Sequence, residues 1–149
     1  MKILLVCSSG GHFTGLMRLK RFWFDHERAW VTFRTVQTEA ALLGERVHWA
    51  HAPTNRNLPN FLRNLRLALQ VIASESPDLV LTTGAGVAVP FVIVGRARGA
   101  EAIFVESLTR TRTLSLSAQL TRPFCEIYVQ WPELQRRHPG TIFAGVNLP

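Results

Sequence analysis

The residues best suited to chemistry stand in two glycine turns and at the end of one strand-like run. The first turn, Ser8-Ser9-Gly10-Gly11-His12, lies directly behind the apolar run Ile3-Leu4-Leu5-Val6. The second, Thr82-Thr83-Gly84-Ala85-Gly86, follows Leu79-Val80-Leu81, and the pair Glu106-Ser107 follows Ala102-Ile103-Phe104-Val105. Glycine has no Cβ, so Gly10 and Gly11, like Gly84 and Gly86, let the backbone turn tightly and approach a ligand. Where such a turn opens a helix, free N–H groups point at an anion. His12 or Glu106 suits general-base work on a hydroxyl. Each has a plainer alternative: a surface histidine on a strand-to-helix turn, and a carboxylate that caps a backbone turn or pairs with Arg110.

The elements that must position these groups follow from local pattern. Short branched apolar runs bounded by Ser and Gly read as buried parallel strands: Ile3–Val6, Ala29–Phe33, Val47–Ala52, Leu79–Leu81, Ala102–Val105, Ile127–Val129 and Thr141–Ala144. Between them lie a helix over Phe13–Phe24, a short one within Arg34–Gly44, and a long one from Pro59 or Asn60 to about Glu75. A helix over Val87–Arg98 carries Pro90 in its first turn, where proline is tolerated, and Gly99 ends it. The segment Thr109–Arg122 is polar, arginine-bearing and partly helical. Alternation of strand and helix predicts an α/β domain with a doubly wound parallel sheet and right-handed crossovers. His12, Gly84 to Gly86 and Glu106 then converge above the carboxyl ends of the strands, where such folds bind ligands. Strand order does not follow from the pattern.

The helix over Phe13–Phe24 is unusual. Leu16, Leu19, Lys20 and Trp23 fall at helical spacing, while Met17, Arg21, Phe22 and Phe24 occupy the other faces. A helix apolar nearly all round, with cations between, resembles an interfacial membrane helix. The alternative is burial between sheet and neighbour, but Arg18, Lys20 and Arg21 are hard to bury. The expectation is therefore a membrane contact through Phe13, Met17, Lys20, Arg21, Trp23 and Phe24. A second basic edge, Arg56, Arg63 and Arg66, runs along the long helix as a solvated face or as a contact for phosphate or lipid headgroups.

Composition narrows the classes. A chain of 149 residues that is 47% apolar is one domain (1–149) with a real core. Seventeen Lys and Arg against ten Asp and Glu leave a formal +7, almost all of it arginine, which favours bidentate phosphate contacts. Cys7 and Cys125 have no CxxC or Cys/His set, so no disulfide or structural zinc is expected. His48 and His51, three apart on a strand, point to opposite faces and do not make a metal pair. A nicotinamide fingerprint fails at both turns, since the third position from Gly10 is His12 and the sixth from Gly84 is Val89. No P-loop, no Gly-x-Ser-x-Gly elbow and no DNA-recognition module occurs. No window reaches the ~18–20 apolar residues of a membrane span. What remains suits a phosphate-bearing substrate and an acceptor hydroxyl.

Five stretches in order carry a family resemblance: Ser8-Ser-Gly-Gly-His12, Trp30-Val-Thr-Phe33, Gly84-Ala-Gly-Val-Ala-Val-Pro90, Phe104-Val-Glu-Ser-Leu108 with Arg110, and Val129-Gln-Trp-Pro-Glu-Leu134. The chain resembles the Alg-fourteen/PssD family of glycosyltransferase subunits and, more distantly, the N-terminal half of MurG. The resemblance implies the acceptor-binding, membrane-associated half of a GT-B glycosyltransferase. An Alg-thirteen/PssE-like partner supplies the nucleotide-sugar half, and the active site lies between them. It implies inverting transfer, without metal or cofactor, from a UDP-sugar to a lipid-diphosphate-linked sugar. Ser9, Gly10, Gly11 and His12 would face the acceptor; Gly84, Ala85, Gly86, Glu106, Ser107 and Arg110 would complete the cleft. Gln130, Trp131, Val146, Asn147 and Leu148 are the expected partner contacts. Eukaryotic members carry an N-terminal membrane anchor, whereas this chain opens on its first strand, as bacterial members can. A peripheral position on the cytoplasmic face of the inner membrane is the resulting expectation, with no nucleic-acid partner. One departure is Glu126, where the family pattern suggests aspartate.

Overall fold

Strand and helix alternate throughout the computed structural model, which describes residues 1–146. In chain order the elements are β1 (Lys2–Cys7), α1 (Gly11–Arg18), α2 (Lys20–Trp23), β2 (Glu27–Thr32), α3 (Val36–Ala41), β3 (Val47–Trp49) and α4 (Leu58–Glu75). They continue with β4 (Leu79–Gly84), α5 (Ala88–Ala97), β5 (Glu101–Val105), α6 (Leu116–Thr121), β6 (Glu126–Val129), α7 (Pro132–Arg137) and β7 (Ile142–Phe143). The strands form one seven-stranded parallel sheet in the order β3-β2-β1-β4-β5-β6-β7. This is the doubly wound, Rossmann-like sheet that the alternation predicts. From β1 the chain winds toward β3, and from β4 it winds toward β7, so the direction reverses between β1 and β4. Ligands of open α/β sheets bind at such a reversal.

Central strands of a parallel sheet are covered on both faces and lose the apolar–polar alternation. Accordingly Ile3 to Cys7 of β1 and all of β4 are buried. On one face Leu4, Val6, Val31 and Val80 pack against α4 (Ala68, Val71, Ile72) and α5 (Phe91, Val92), and Phe104, Ile127 and Val129 pack against α6 and α7. On the other face Ile3, Leu5, Trp30 and Leu81 pack against Phe13 and Leu16 of α1 and Trp23 of α2. Burial pushes the Cys7 thiol up to about 12, against a weaker opposing pull from the Thr32 hydroxyl, so it is an inert core residue.

The helix over Phe13–Phe24 is not continuous. It breaks at Leu19 (φ −83°, ψ 13°), and the short α2 turns Trp23 inward. There Trp23 Nε1 donates to the Leu16 carbonyl (2.9 Å), and its ring meets Trp30 edge-on at 5.3 Å. Phe13 and Trp23 are therefore core residues, and the expectation that they face a membrane is corrected. The break resolves the conflict of a helix apolar all round: it directs the large rings to the sheet and leaves Lys20, Arg21, Phe22 and Phe24 outside. Met17 is half-buried against the same core.

At the amino ends of the strands, the 6%-exposed carboxylate of Glu75 receives Lys2 Nζ (3.0 Å), Arg46 Nη1 (3.0 Å) and His48 Nε2 (2.7 Å). Burial alone would raise its pKa; the bonds from His48, Lys2 and Arg46 outweigh that and hold it at about 2. His48 is thus committed to Glu75, and among the described residues no group of three or more His, Cys, Asp or Glu is placed to hold a metal.

Candidate active site

Two adjoining clefts lie over the carboxyl ends of the strands at the β1/β4 reversal. One, of about 600 Å³, is lined by residues that include His12, Arg56, Ala85, Gly86, Glu106 and Arg110. The other, of about 500 Å³, includes Gly11, His12, Thr83, Glu106, Ser107 and Gln130. His12 and Glu106 border both.

The position of His12 is built by both glycine turns. Gly10, at φ +73°, turns the chain into α1, whose first turn has no side-chain cap, so its N–H groups remain open to the cleft. His12 Nδ1 lies 2.7 Å from the Thr83 carbonyl, and the Thr83 hydroxyl donates back to the His12 carbonyl at 2.6 Å. A carbonyl oxygen only accepts, so Nδ1 carries a proton, and in the neutral ring Nε2 keeps its lone pair. That is the tautomer a general base needs. The imidazole lies against Gly84, whose φ of +111° excludes ordinary side chains; an added Cβ would stand 3.2 Å from His12 Cε1 and 3.1 Å from Phe104 Cζ. Ala85 holds φ +73°, a conformation costly for alanine and of the kind that clusters at functional sites. Gly86 packs against Thr54, and α5 then begins, also without a side-chain cap.

Glu106 is only 2% exposed, and both its oxygens are engaged: Oε1 accepts from Ser107 N (2.9 Å) and Oε2 from Ser115 N (2.7 Å). The turn-capping alternative is the one realised, and no ion pair with Arg110 forms. The carboxylate closes the loop 106–115 on itself, fixing Ser107 and Arg110 on the cleft wall. Ser107 Oγ and Thr109 Oγ1 bond at 2.9 Å, and Trp131 Nε1 donates to the Leu108 carbonyl at 2.8 Å, so Trp131 braces the same loop.

Arg110 lies in the lining of the larger cleft together with Arg56, which comes from the β3–α4 loop. Among the described residues neither guanidinium has a hydrogen-bond or ion-pair partner. Two guanidinium groups and the uncapped N-terminus of α1 are the groups at this end of the sheet suited to an anion; at α5 the Ala88 and Val89 N–H groups are taken by the Ala85 and Gly86 carbonyls, and Pro90 has none. Thr54, Asn55, Phe61, Leu116 and Leu120 also line the larger cleft, and sequence reasoning did not single them out. Only Arg56 left a signal, in the basic edge it shares with Arg63 and Arg66. Ser9 lies outside the lining of both clefts, half-buried beside the Gly10 turn. Gln130 is buried and lines the smaller cleft, Val146 is exposed at the far edge, and Asn147 and Leu148 lie outside the described residues.

Known proteins share this fold. Among solved structures, MurG from Acinetobacter baumannii superposes with a TM-score of 0.72 at 13% identity, over 97% of this chain and 44% of that one. A UDP-N-acetylglucosamine 2-epimerase from Rickettsia bellii gives 0.75 at 11% identity, over 99% and 45%. At such identities the likeness is one of fold, and this chain spans less than half of either protein. Among curated sequences, "UDP-N-acetylglucosamine transferase subunit ALG14" of mouse is 24% identical over 97% of this chain and 82% of its own length. The human protein of the same name is 32% identical over 56% of this chain and 42% of its own. The family model "Oligosaccharide biosynthesis protein Alg14 like" matches residues 49–147. With two thirds of its length matched by that model, this chain belongs to the Alg14-like family.

Proposed function

We propose that this chain is the acceptor-binding half of an inverting glycosyltransferase that moves a sugar from a UDP-sugar to a lipid-diphosphate-linked sugar. The observation that carries the reading is His12: its Nδ1–H is tied to the Thr83 carbonyl, and its ring lines a cleft that also holds two arginines without a side-chain partner among the described residues. In the reaction the acceptor hydroxyl gives its proton to Nε2 as its oxygen attacks the anomeric carbon. The bond from that carbon to the UDP oxygen breaks, and the electron pair leaves with UDP. Arg56, Arg110 and the N-terminus of α1 hold the acceptor diphosphate. Glu106 keeps loop 106–115 in place and is a positioning residue. The donor half comes from an Alg-thirteen/PssE-like partner. The curated relatives are named as transferase subunits, which supports an incomplete enzyme.

No helix among the described residues is long and apolar enough to cross a membrane. With Phe13 and Trp23 in the core, the better candidate for contact with a bilayer is the face beside the larger cleft. Leu58, Leu62 and Leu69 share one face of α4, and Leu116 and Leu120 one face of α6; all are exposed, Leu58 and Leu116 at 68%. Arg56 and Arg110 line the larger cleft with Leu116 and Leu120, and Arg63 and Arg66 stand on α4, a composition suited to a surface that meets anionic lipid. Peripheral attachment there, on the cytoplasmic face of a bacterial inner membrane, would set the cleft mouth at the height of a lipid diphosphate.

The test is sugar transfer from UDP-sugars to membrane lipid extract, with this chain and its partner half expressed together and apart. Transfer should require both chains and fall about a hundredfold or more in His12→Ala, the range of a general base. Transfer that needs this chain but ignores His12 would make it a non-catalytic recruiting scaffold.

A further inference from the structure

The segment that brings Arg56 to the larger cleft is held by side chains instead of a backbone ladder. β3 ends at Trp49, and once the Ala50 N–H has donated to the Thr32 carbonyl at 2.9 Å the chain leaves the sheet. Among the described residues, positions 51–56 form no backbone–backbone hydrogen bond, and all but Thr54 are exposed. Two buried amides of α4 take the place of the ladder. Asn64 is 1% exposed; its Oδ1 accepts from the His51 N–H at 2.8 Å, and its Nδ2 donates to the His51 carbonyl at 2.9 Å. A carboxamide has the donor and acceptor of a peptide group, so Asn64 pairs with His51 as a neighbouring strand would. One turn earlier on the same helix face, Asn60 Nδ2 donates to the Pro53 carbonyl at 2.9 Å. Its Oδ1 accepts from Arg63 Nη1 at 2.9 Å; a guanidinium only donates, so this bond fixes which way round the amide lies. From the side of α5, Thr54 packs on Gly86, where an added Cβ would stand 3.3 Å from Thr54 Cβ. Between these supports Arg56 holds φ +48°, a conformation that costs a non-glycine residue and persists only where its surroundings impose it.

We propose that Asn60 and Asn64 are positioning residues for the acceptor: they hold 51–56 as a fixed arm that keeps Arg56 in the cleft wall before the diphosphate arrives. This rests on the half-enzyme reading above and names the residues that preorganise its anion contact. Further along the same face of α4 stand Ala68, Val71 and Ile72, which pack in the core, so an apolar side chain would serve packing alone at positions 60 and 64. Burying an amide is unfavourable unless its polar atoms are bonded, and here all four are used on the arm or on Arg63. Ordering an exposed loop and a long arginine at the moment of binding would weaken binding; an arm already ordered removes that cost. The amides therefore act on acceptor affinity and not on the transfer step, which belongs to His12.

The experiment measures transfer by the two-chain complex while membrane lipid extract and UDP-sugar are varied in turn. Arg56→Ala should raise the half-saturating amount of extract about tenfold or more. Asn64→Leu, which keeps the volume and removes both bonds to His51, and Asn60→Ala should each raise it about fivefold or more. In both, kcat and the KM for UDP-sugar should stay within about twofold of wild type. In the Arg56→Ala background either asparagine variant should add less than about twofold, because the arm acts through that guanidinium. Glu75→Gln loosens the far end of the same helix and should leave the half-saturating amount unchanged, which separates positioning from general destabilisation. If Asn64→Leu does not fold, Asn60→Ala with its double variant decides. An unshifted half-saturating amount, a loss in kcat in place of acceptor affinity, or effects that multiply in full with Arg56→Ala overturn the proposal. So does an equal shift in Glu75→Gln. Any of these in an active two-chain enzyme sinks the arm alone, whereas absence of transfer by the wild-type pair sinks the function and the arm with it.

Discussion

At the scale of single residues, the candidate chemistry depends on who holds each side chain. His12 is proposed as the base because its Nδ1–H donates to the Thr83 carbonyl, and Glu106 is a clamp because its oxygens accept from two backbone N–H groups. These assignments separate on mutation. Glu106→Gln puts an amide N–H opposite a backbone donor and should cost about 1–3 kcal/mol of stability in a denaturant titration. Its transfer activity should suffer mainly through a higher KM for acceptor, whereas His12→Ala should act on kcat. Gly84→Ala tests the support beneath the imidazole. A methyl 3.2 Å from His12 Cε1 on a backbone at φ +111° should destabilise by about 1–3 kcal/mol and cut transfer by displacing the ring. A thermal melt beside the kinetic assay checks both effects.

Among the elements, α4 and α2 show how a local conflict is settled by what lies across from it. The carboxyl end of α4 is pinned to β1, β3 and the loop before β3 through Glu75, whose folded pKa of about 2 lies below its unfolded value near 4.5. The stabilisation from this pair of states is fully present above about pH 4.5 and is lost as pH falls toward 2. Urea titrations at pH 7 and pH 2.5 should differ by about 2–3 kcal/mol more in the wild type than in Glu75→Gln. In α2, Trp23 is the anchor that turns the short helix onto the sheet. Trp23→Ala should cost about 3–5 kcal/mol, read by chemical denaturation.

For the molecule as a whole, charge is distributed by layer. Asp25, Glu27, Glu45, Glu75, Asp78, Glu101 and Glu126 all lie toward the amino ends of the strands, which leaves the arginines of the opposite edge largely uncompensated. Of these, Arg56 and Arg110 line the larger cleft, and Arg63 and Arg66 stand on α4 beside its leucines. Binding to vesicles containing anionic lipid should weaken steeply as salt rises past ~0.15 M. It should fall at least tenfold in Leu62→Asp with Leu120→Asp, measured by vesicle co-sedimentation, while Lys20→Ala with Phe24→Ala leaves it nearly unchanged.

The sequence alone determined the alternation of elements, the two glycine turns and the convergence of His12, Gly84 to Gly86 and Glu106 at one edge. Apolar periodicity and glycine placement are local properties, and parallel β–α units are right-handed, so those residues had to share an edge. It also carried the family resemblance through short stretches in a fixed order. Tertiary structure decided the rest. Strand order placed the reversal between β1 and β4, which periodicity cannot encode because every buried parallel strand reads alike. It brought Arg56 into the same cleft as Arg110, two residues far apart in the chain whose meeting depends on how the β3–α4 loop folds back. It drew Phe13 and Trp23 into the core, since an all-round apolar helix does not say which side the sheet lies on. It turned Glu106 inward, because only the folded loop supplies the Ser107 and Ser115 N–H groups that a carboxylate at that strand end accepts.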